Sequence, residues 1–272
     1  MIRRGQLAGA AQALHAYLKK DEASATAHML LGLVEYEQDR PADSLGEFTR
    51  AAQLKTPRAS ELVIVGLDYV KLRDLANADK WMTVAVQKDP GSAGAWRYLG
   101  GIKYSENRFA EAIEAYRHCL QLVPHDVPSE DGIGRSLEGL SRDDEAETAY
   151  RQAIAWQASA VRKYAQPLLH LGILLTRKGQ AAAGIEYLEE AEAIGPVDLD
   201  LLRAKGDAYM QLKQWAEAQT ALEKAVALAP HNSHLHWLLA TVYRHEGMAE
   251  QAREQQQLFA SLVGNHSNDK AQ

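Results

Sequence analysis

Glycine returns along this chain at a fixed step. Gly32, Gly66, Gly100 and Gly134 stand 34 residues apart, Gly172 follows after 38, Gly206 after a further 34, and Ala240 takes the next place. Twelve residues after each lies a second small residue: Ser44, Ala78, Ala112, Ala146, Gly184, Ala218 and Ala252. Four further on comes a larger side chain, in Phe48, Met82, Tyr116, Tyr150, Leu188 and Leu222, with Gln256 as the exception. Ala51, Ala85, Cys119, Ala153, Ala191 and Ala225 follow after three more, and Phe259 breaks that series. Pro90, Pro124, Pro196 and Pro230 close several units, with Pro57 displaced by one. Self-similarity at this period marks a chain built from one supersecondary unit used repeatedly.

Within each unit apolar residues recur at three and four, the spacing of amphipathic helices. Glycine on a first helix and alanine on a second let two backbones approach closely, and the larger residue one turn later fills the space beside them. Proline cannot continue a helix, so it ends the second one. Short polar turns such as Glu106-Asn107-Arg108 and Arg177-Lys178-Gly179 separate the pair. A single pair leaves an apolar face bare, so neighbouring pairs must stack. With 46% hydrophobic residues the chain can fill a continuous core.

The spacing resembles the tetratricopeptide repeat family. The third unit carries the pattern best, in Trp96-Arg97-Tyr98-Leu99-Gly100, Ala112, Tyr116 and Pro124, although Tyr104 sits one place later than the family's usual tyrosine. The sixth has Gly206, Tyr209, Ala218, Leu222, Ala225 and Pro230, and the second Gly66, Tyr69, Ala78, Ala85 and Pro90. The resemblance implies an all-α, right-handed α-solenoid of helix-turn-helix repeats. We place seven repeats over residues 25–263, starting near 25, 59, 93, 127, 165, 199 and 233. Residues 1–24 are expected to form a half-repeat with a helix from Gly5 to Lys20, either a cap or the end of a longer chain, and residues 264–272 a disordered tail. Four extra residues fall within Gln157 to Tyr164, about one helical turn. They predict one lengthened helix, or else a hinge or a break in the binding groove.

The same resemblance implies that first helices line a concave groove where a partner's peptide or helix binds, and that the chain is a scaffold and not an enzyme. Carried over by position, the expected groove residues are Met29, Leu33, Tyr36, Val63, Leu67, Val70, Arg97, Tyr104, Arg135, Leu169, Ile173, Arg203 and Trp237, with Glu37, Lys71, Asp131, Glu138, Thr176, Arg177, Asp207, Met210, His234, Thr241, Arg244 and His245 beside them. The first six form an apolar stretch, either covered by the fold or open as a socket for an apolar or helical peptide. Family members that grip chaperone tails use paired Lys and Asn. This chain has Met29 and Leu33, Val63 and Leu67, and Arg97 and Gly101 at those places, so heat-shock chaperone tails are not expected as ligands.

A net charge of -6 without a cluster of basic residues argues against a nucleic-acid surface. No apolar run reaches 18 residues, so no membrane insertion is expected. The one cysteine, Cys119, occupies a place where other units carry alanine and reads as core. His231, His234, His236 and His245 cluster in sequence, but His234 and His245 lie about 16 Å apart along one helix and cannot share an ion. Gly-rich phosphate loops and nucleophile–base pairs are not found, so no metal or cofactor is expected. A cytoplasmic protein is expected, unless an export signal lies upstream of Met1. The alternatives are a substrate-recruiting arm of a larger enzyme and a periplasmic or membrane-associated assembly factor.

Overall fold

In each repeat the turn between the two helices is made the same way. The fifteenth residue of the repeat takes a left-handed conformation: Asp39, Arg73, Asn107, Ser141 and Lys213 at φ between 58° and 60°, and Gly179 and Gly247 at 79° and 76°. The next residue's amide then donates back to the carbonyl five positions earlier, as in Arg40 N to Glu35 O and Met248 N to Tyr243 O, at 2.8–3.0 Å in all seven repeats. This is the backbone closure that satisfies the orphan carbonyls at a helix end. Glycine adopts that conformation without penalty, so five of the seven turns hold a side chain in a region that costs about 1–2 kcal/mol for an ordinary residue.

The computed structural model describes residues 4–269, which contain fifteen helices and no strand. They fall into two compact units, Met1–Arg142 and Asp143–Gln272. The first holds α1 (Arg4–Leu18), α2 (Ala25–Glu37), α3 (Pro41–Leu54), α4 (Ala59–Lys71), α5 (Leu75–Lys88), α6 (Ala93–Ser105), α7 (Phe109–Leu122) and α8 (Val127–Gly139). The second holds α9 (Asp143–Trp156), α10 (Gln166–Arg177), α11 (Ala181–Ile194), α12 (Leu199–Gln211), α13 (Trp215–Leu228), α14 (Ser233–His245) and α15 (Ala249–Asp269). Each unit is an α-solenoid in which hairpins such as α2–α3 or α12–α13 pack on their neighbours in chain order, and first helices touch next first helices, as α6 does α8 and α10 does α12. The expected N-terminal helix is α1, whose Ala11 and Leu18 are buried with Ala27 and Leu31 of α2.

The small-residue series sits at the closest approaches. Ala78, Ala112, Ala146 and Ala218 are fully buried, and Met82, Tyr150, Leu188 and Leu222 fill the spaces beside them. A methyl group at Gly206 would fall 2.6 Å from Leu222 Cδ2, one at Gly172 2.7 Å from Leu188 Cδ2, and one at Gly100 2.7 Å from Tyr116 Cδ1. These are distances no carbon tolerates, so the glycines are required by the side chains facing them. A second device fixes the entry to three repeats. The ring nitrogens His28 Nε2, Trp96 Nε1 and His236 Nε2, each at the fourth place of its repeat, donate to the carbonyls of Glu22, Pro90 and Pro230 at 2.9–3.0 Å. His28 and His236 are thus buried structural groups.

Two expectations are corrected. The extra residues do not lengthen a helix: α9 stops at Trp156, and α10 begins at Gln166. The buried Gln157 ends it, because its side-chain amide takes over two backbone hydrogen bonds. Nε2 donates to Tyr164 O at 2.9 Å and Oε1 accepts from Tyr164 N at 2.7 Å, closing the loop. The tail expected from Gly264 is helical as far as Asp269, and residues 270–272 lie outside the described residues. A lone glycine costs a helix about 1 kcal/mol against alanine and does not end it without a proline or a cap.

Replacing Arg73 or Lys213 with Gly should therefore raise stability by about 0.5–1 kcal/mol each, read as a higher urea midpoint. Ala112→Leu should lower it by about 1–3 kcal/mol through overpacking. An unchanged midpoint for Ala112→Leu would contradict the register.

Candidate functional site

The sequence-expected groove residues separate into two walls, one in each unit. In the second unit Ile173 of α10, Arg203 of α12 and Trp237 of α14 line one cavity of about 430 Å³. Helix periodicity brings Arg203, Asp207 and Met210 to one face of α12, since residues four and three apart are neighbours on a helix. Thr176 and Arg177 enter from the end of α10, and Ala204, Gln211 and Leu238 complete the lining. Trp237 is 46% exposed, large for an indole, and His234 stacks beside it with ring centroids 5.7 Å apart. Arg177 pairs with Asp143 at 2.9 Å, whereas Arg203 reaches Asp200 only at 3.8 Å. Burial pushes the Asp207 carboxyl upward, and Arg203 and His234 pull against it. The hollow thus offers an aromatic face, apolar floor atoms from Ile173, Met210 and Leu238, the Asp207 carboxyl, and two arginines, of which Arg177 is held by Asp143. Leu169 packs against the core around Leu168 and Leu188 and does not line the hollow.

The first unit arranges its wall differently. Met29, Leu33, Tyr36, Val63 and Leu67 are half-buried, and Val70 is 36% exposed. Val63 and Leu67 pack on the core formed by Met82, Leu99 and Ile102. Cationic side chains lie across what remains. Lys71 Nζ stands 4.0 Å over the Tyr36 ring, and Arg58 Nη2 lies 3.0 Å from Met29 Sδ. Long basic side chains cover apolar surface with their stems while keeping the charge wet. Farther along, Arg97 pairs with Asp126 at 3.0 Å, and the Arg135 guanidinium lies 4.2 Å over the Tyr104 ring. Of the histidines singled out by sequence, His245 stacks on Trp215 at 4.0 Å and His234 on Trp237.

A family model described as tetratricopeptide repeat matches residues 93–126 and 199–232, and a second of the same description matches 2–59. Protein O-mannosyl-transferase TMTC3 of Mus musculus is 24% identical over 170 residues, covering 58% of this chain and 18% of the relative. The peroxisomal targeting signal receptor of Kluyveromyces lactis is 23% identical over 198 residues, covering 60% of this chain and 35% of the relative. The chain therefore spans only a fifth to a third of these curated relatives. The crystal structure of a tetratricopeptide repeat protein from Parabacteroides merdae superimposes with a TM-score of 0.71 at 16% identity, over 88% of this chain and 93% of that one, a likeness of fold. No helix among the described residues is long and apolar enough to cross a membrane.

One group escaped the sequence reading. Asp68 stands at the tenth place of its repeat, where other repeats carry Val34, Ile102, Ser136, Leu174, Ala208 and Val242. It is fully buried, and neither carboxylate oxygen has a hydrogen-bond partner. The neighbouring Ser44 hydroxyl donates instead to Gly32 O at 3.0 Å. Burial pushes the Asp68 carboxyl up to about 6, with Ser44 and Lys71 drawing it down and Asp39 raising it. The proton is bound more tightly in the folded chain than in the unfolded one. The stabilising contribution is therefore full below about pH 4 and is lost as pH rises through about 6. Asp68→Asn should stabilise the protein by about 1–2 kcal/mol at pH 7.5, and that advantage should vanish toward pH 4.5. Parallel pH–stability curves for the two proteins would contradict this.

Proposed function

The chain is a tetratricopeptide repeat protein, and we propose that it acts as a non-catalytic scaffold whose first-helix faces hold a segment of a partner protein. The observation that carries this reading is the hollow of the second unit. Trp237 leaves nearly half its surface in water beside Arg203 and Asp207, on helices that follow one another in the stack. An exposed tryptophan flanked by an arginine has the composition of an interaction hot spot. Ile173, Met210 and Leu238 would take an apolar side chain of the segment. Arg203, with only a long ion pair to Asp200, would take a carboxylate or carbonyl oxygen. Asp207 would receive a donor. The partner class is protein, in keeping with the family and with a relative named for its role as a targeting-signal receptor.

A second reading is favoured by the transferase relative, whose matched region is 18% of its length. The repeats would then serve as a substrate-recruiting arm of a larger enzyme, and the groove would bind the substrate protein by the same contacts.

Selection of random dodecapeptides against the native chain tests the reading. Trp237→Ala should weaken the selected ligands of this hollow by about 1–3 kcal/mol, with the helical circular dichroism unchanged. Ligands that bind Trp237→Ala as tightly as the native chain but are lost on the Leu33→Asp, Leu67→Asp double variant would place the groove in the first unit alone.

A further inference from the structure

The third repeat has no side chain at two of the places where its first helix should present one to a ligand. Gly94 and Gly101 occupy the second and ninth positions of the repeat, and every other repeat carries a side chain at the ninth: Leu33, Leu67, Arg135, Ile173, Asp207 and Thr241. Glycine in a helix interior destabilises it relative to alanine, so such glycines ordinarily answer a packing need. Gly100 does, with Tyr116 pressed against it. Gly94 and Gly101 do not. A methyl group at Gly94 would meet nothing within 4 Å, and one at Gly101 would meet only the Tyr116 hydroxyl, at an ordinary 3.7 Å.

That hydroxyl is the second, independent observation. The Tyr116 ring is wedged between Gly100 of α6 and Gly132 of α8, and the residue is only 6% exposed. Its oxygen comes out beneath Gly101 and makes no hydrogen bond among the described residues. The ring is buried but the oxygen is not sealed from water, so it can donate to a group that takes the water's place. The charges that act on it are those of the groove-facing residues Arg97, Tyr104, Asp131 and Arg135. At the same place in other repeats stand Phe48, Met82, Leu188 and Leu222, without a polar atom, and Tyr150 and Gln256, which carry one, but only Tyr116 has a glycine at the ninth place of its repeat above it.

We propose that Gly94, Gly101 and the Tyr116 hydroxyl form a notch in the first unit that receives the main chain of an extended partner segment, with Tyr116 donating to one of its carbonyl oxygens. This rests on the reading that first-helix faces hold peptide. The missing side chains let a backbone come closer than elsewhere along the wall. The notch is close to neutral, because Arg97 is paired with Asp126, and Arg135 stacks on Tyr104 with Asp131 acting on the same spot. A neutral amide therefore fits better than a carboxylate or a phosphate.

The test uses the full chain and random dodecapeptides selected on it. Peptides that bind Trp237→Ala normally are measured against Gly101→Leu, Tyr116→Phe and Gly94→Ala. The notch predicts at least tenfold weaker binding to Gly101→Leu and about three- to tenfold weaker binding to Tyr116→Phe, the loss of one hydrogen bond. It also predicts that Gly101→Leu melts no lower than the native chain, a gain in helix stability set against a loss of binding. Peptides held equally well by Gly101→Leu and Tyr116→Phe would overturn the notch and leave the scaffold reading standing. A lower melting point for both Gly101→Leu and Gly94→Ala would also overturn it, by showing that the space is structural. If no peptide is selected on the native chain, both readings fall.

Discussion

The architecture depends on one interlock repeated along the chain: a large side chain from a second helix pressed onto a glycine of the first, next to an alanine that lets the two backbones close. Leu222 on Gly206 beside Ala218, and Leu188 on Gly172 beside Gly184, are the tightest forms in the second unit. At Gly184 a methyl group would fall 2.8 Å from Gly172 O, so there the two helices meet backbone to backbone. Everything else follows from this spacing. Hairpins that close so tightly have a flat apolar side, the flat side needs a neighbour, and the neighbour's first helix arrives in register beside the last. The outer surface of those first helices is left over.

The interlock was legible because it is written in residue size at a constant period. The Gly, Ala and Pro positions carried the resemblance that implies the fold class, and the helices of the structure follow that period. The turns were less so. Five of the seven left-handed positions carry Asp39, Arg73, Asn107, Ser141 or Lys213 in place of glycine, so the backbone requirement leaves no compositional mark. The loop after α9 was misread because its closure depends on Gln157, a residue with no breaking tendency of its own. The side chain acts only once Tyr164 is brought to it.

The groove shows the same division. In the second unit Ile173, Arg203 and Trp237 meet at one hollow because helix periodicity puts each on the same side of its first helix and the stacking of those helices brings the sides together. In the first unit the apolar stretch from Met29 to Val70 is partly covered. Lys71 and Arg58, neither singled out as a cover, lie across Tyr36 and Met29. The groups that break the repeat's own rules were the hardest to see. Asp68 puts a carboxylate in a core position, and Tyr116, like Tyr150 at the same place in the next repeat, puts a hydroxyl at the end of a core ring. In a repeat protein such departures are visible only when each position is compared with its equivalents in the same chain.

The most direct measurement of the central claim is a double-mutant cycle at Gly206 and Leu222. Gly206→Ala should destabilise because its new methyl group strikes Leu222 Cδ2, and Leu222→Ala should destabilise by leaving a cavity. Combined, the two changes relieve each other, and a coupling of about 1–3 kcal/mol is expected. Additivity to within about 0.5 kcal/mol would show that the two side chains do not share that space. The interlock on which the stack is built would then be wrong.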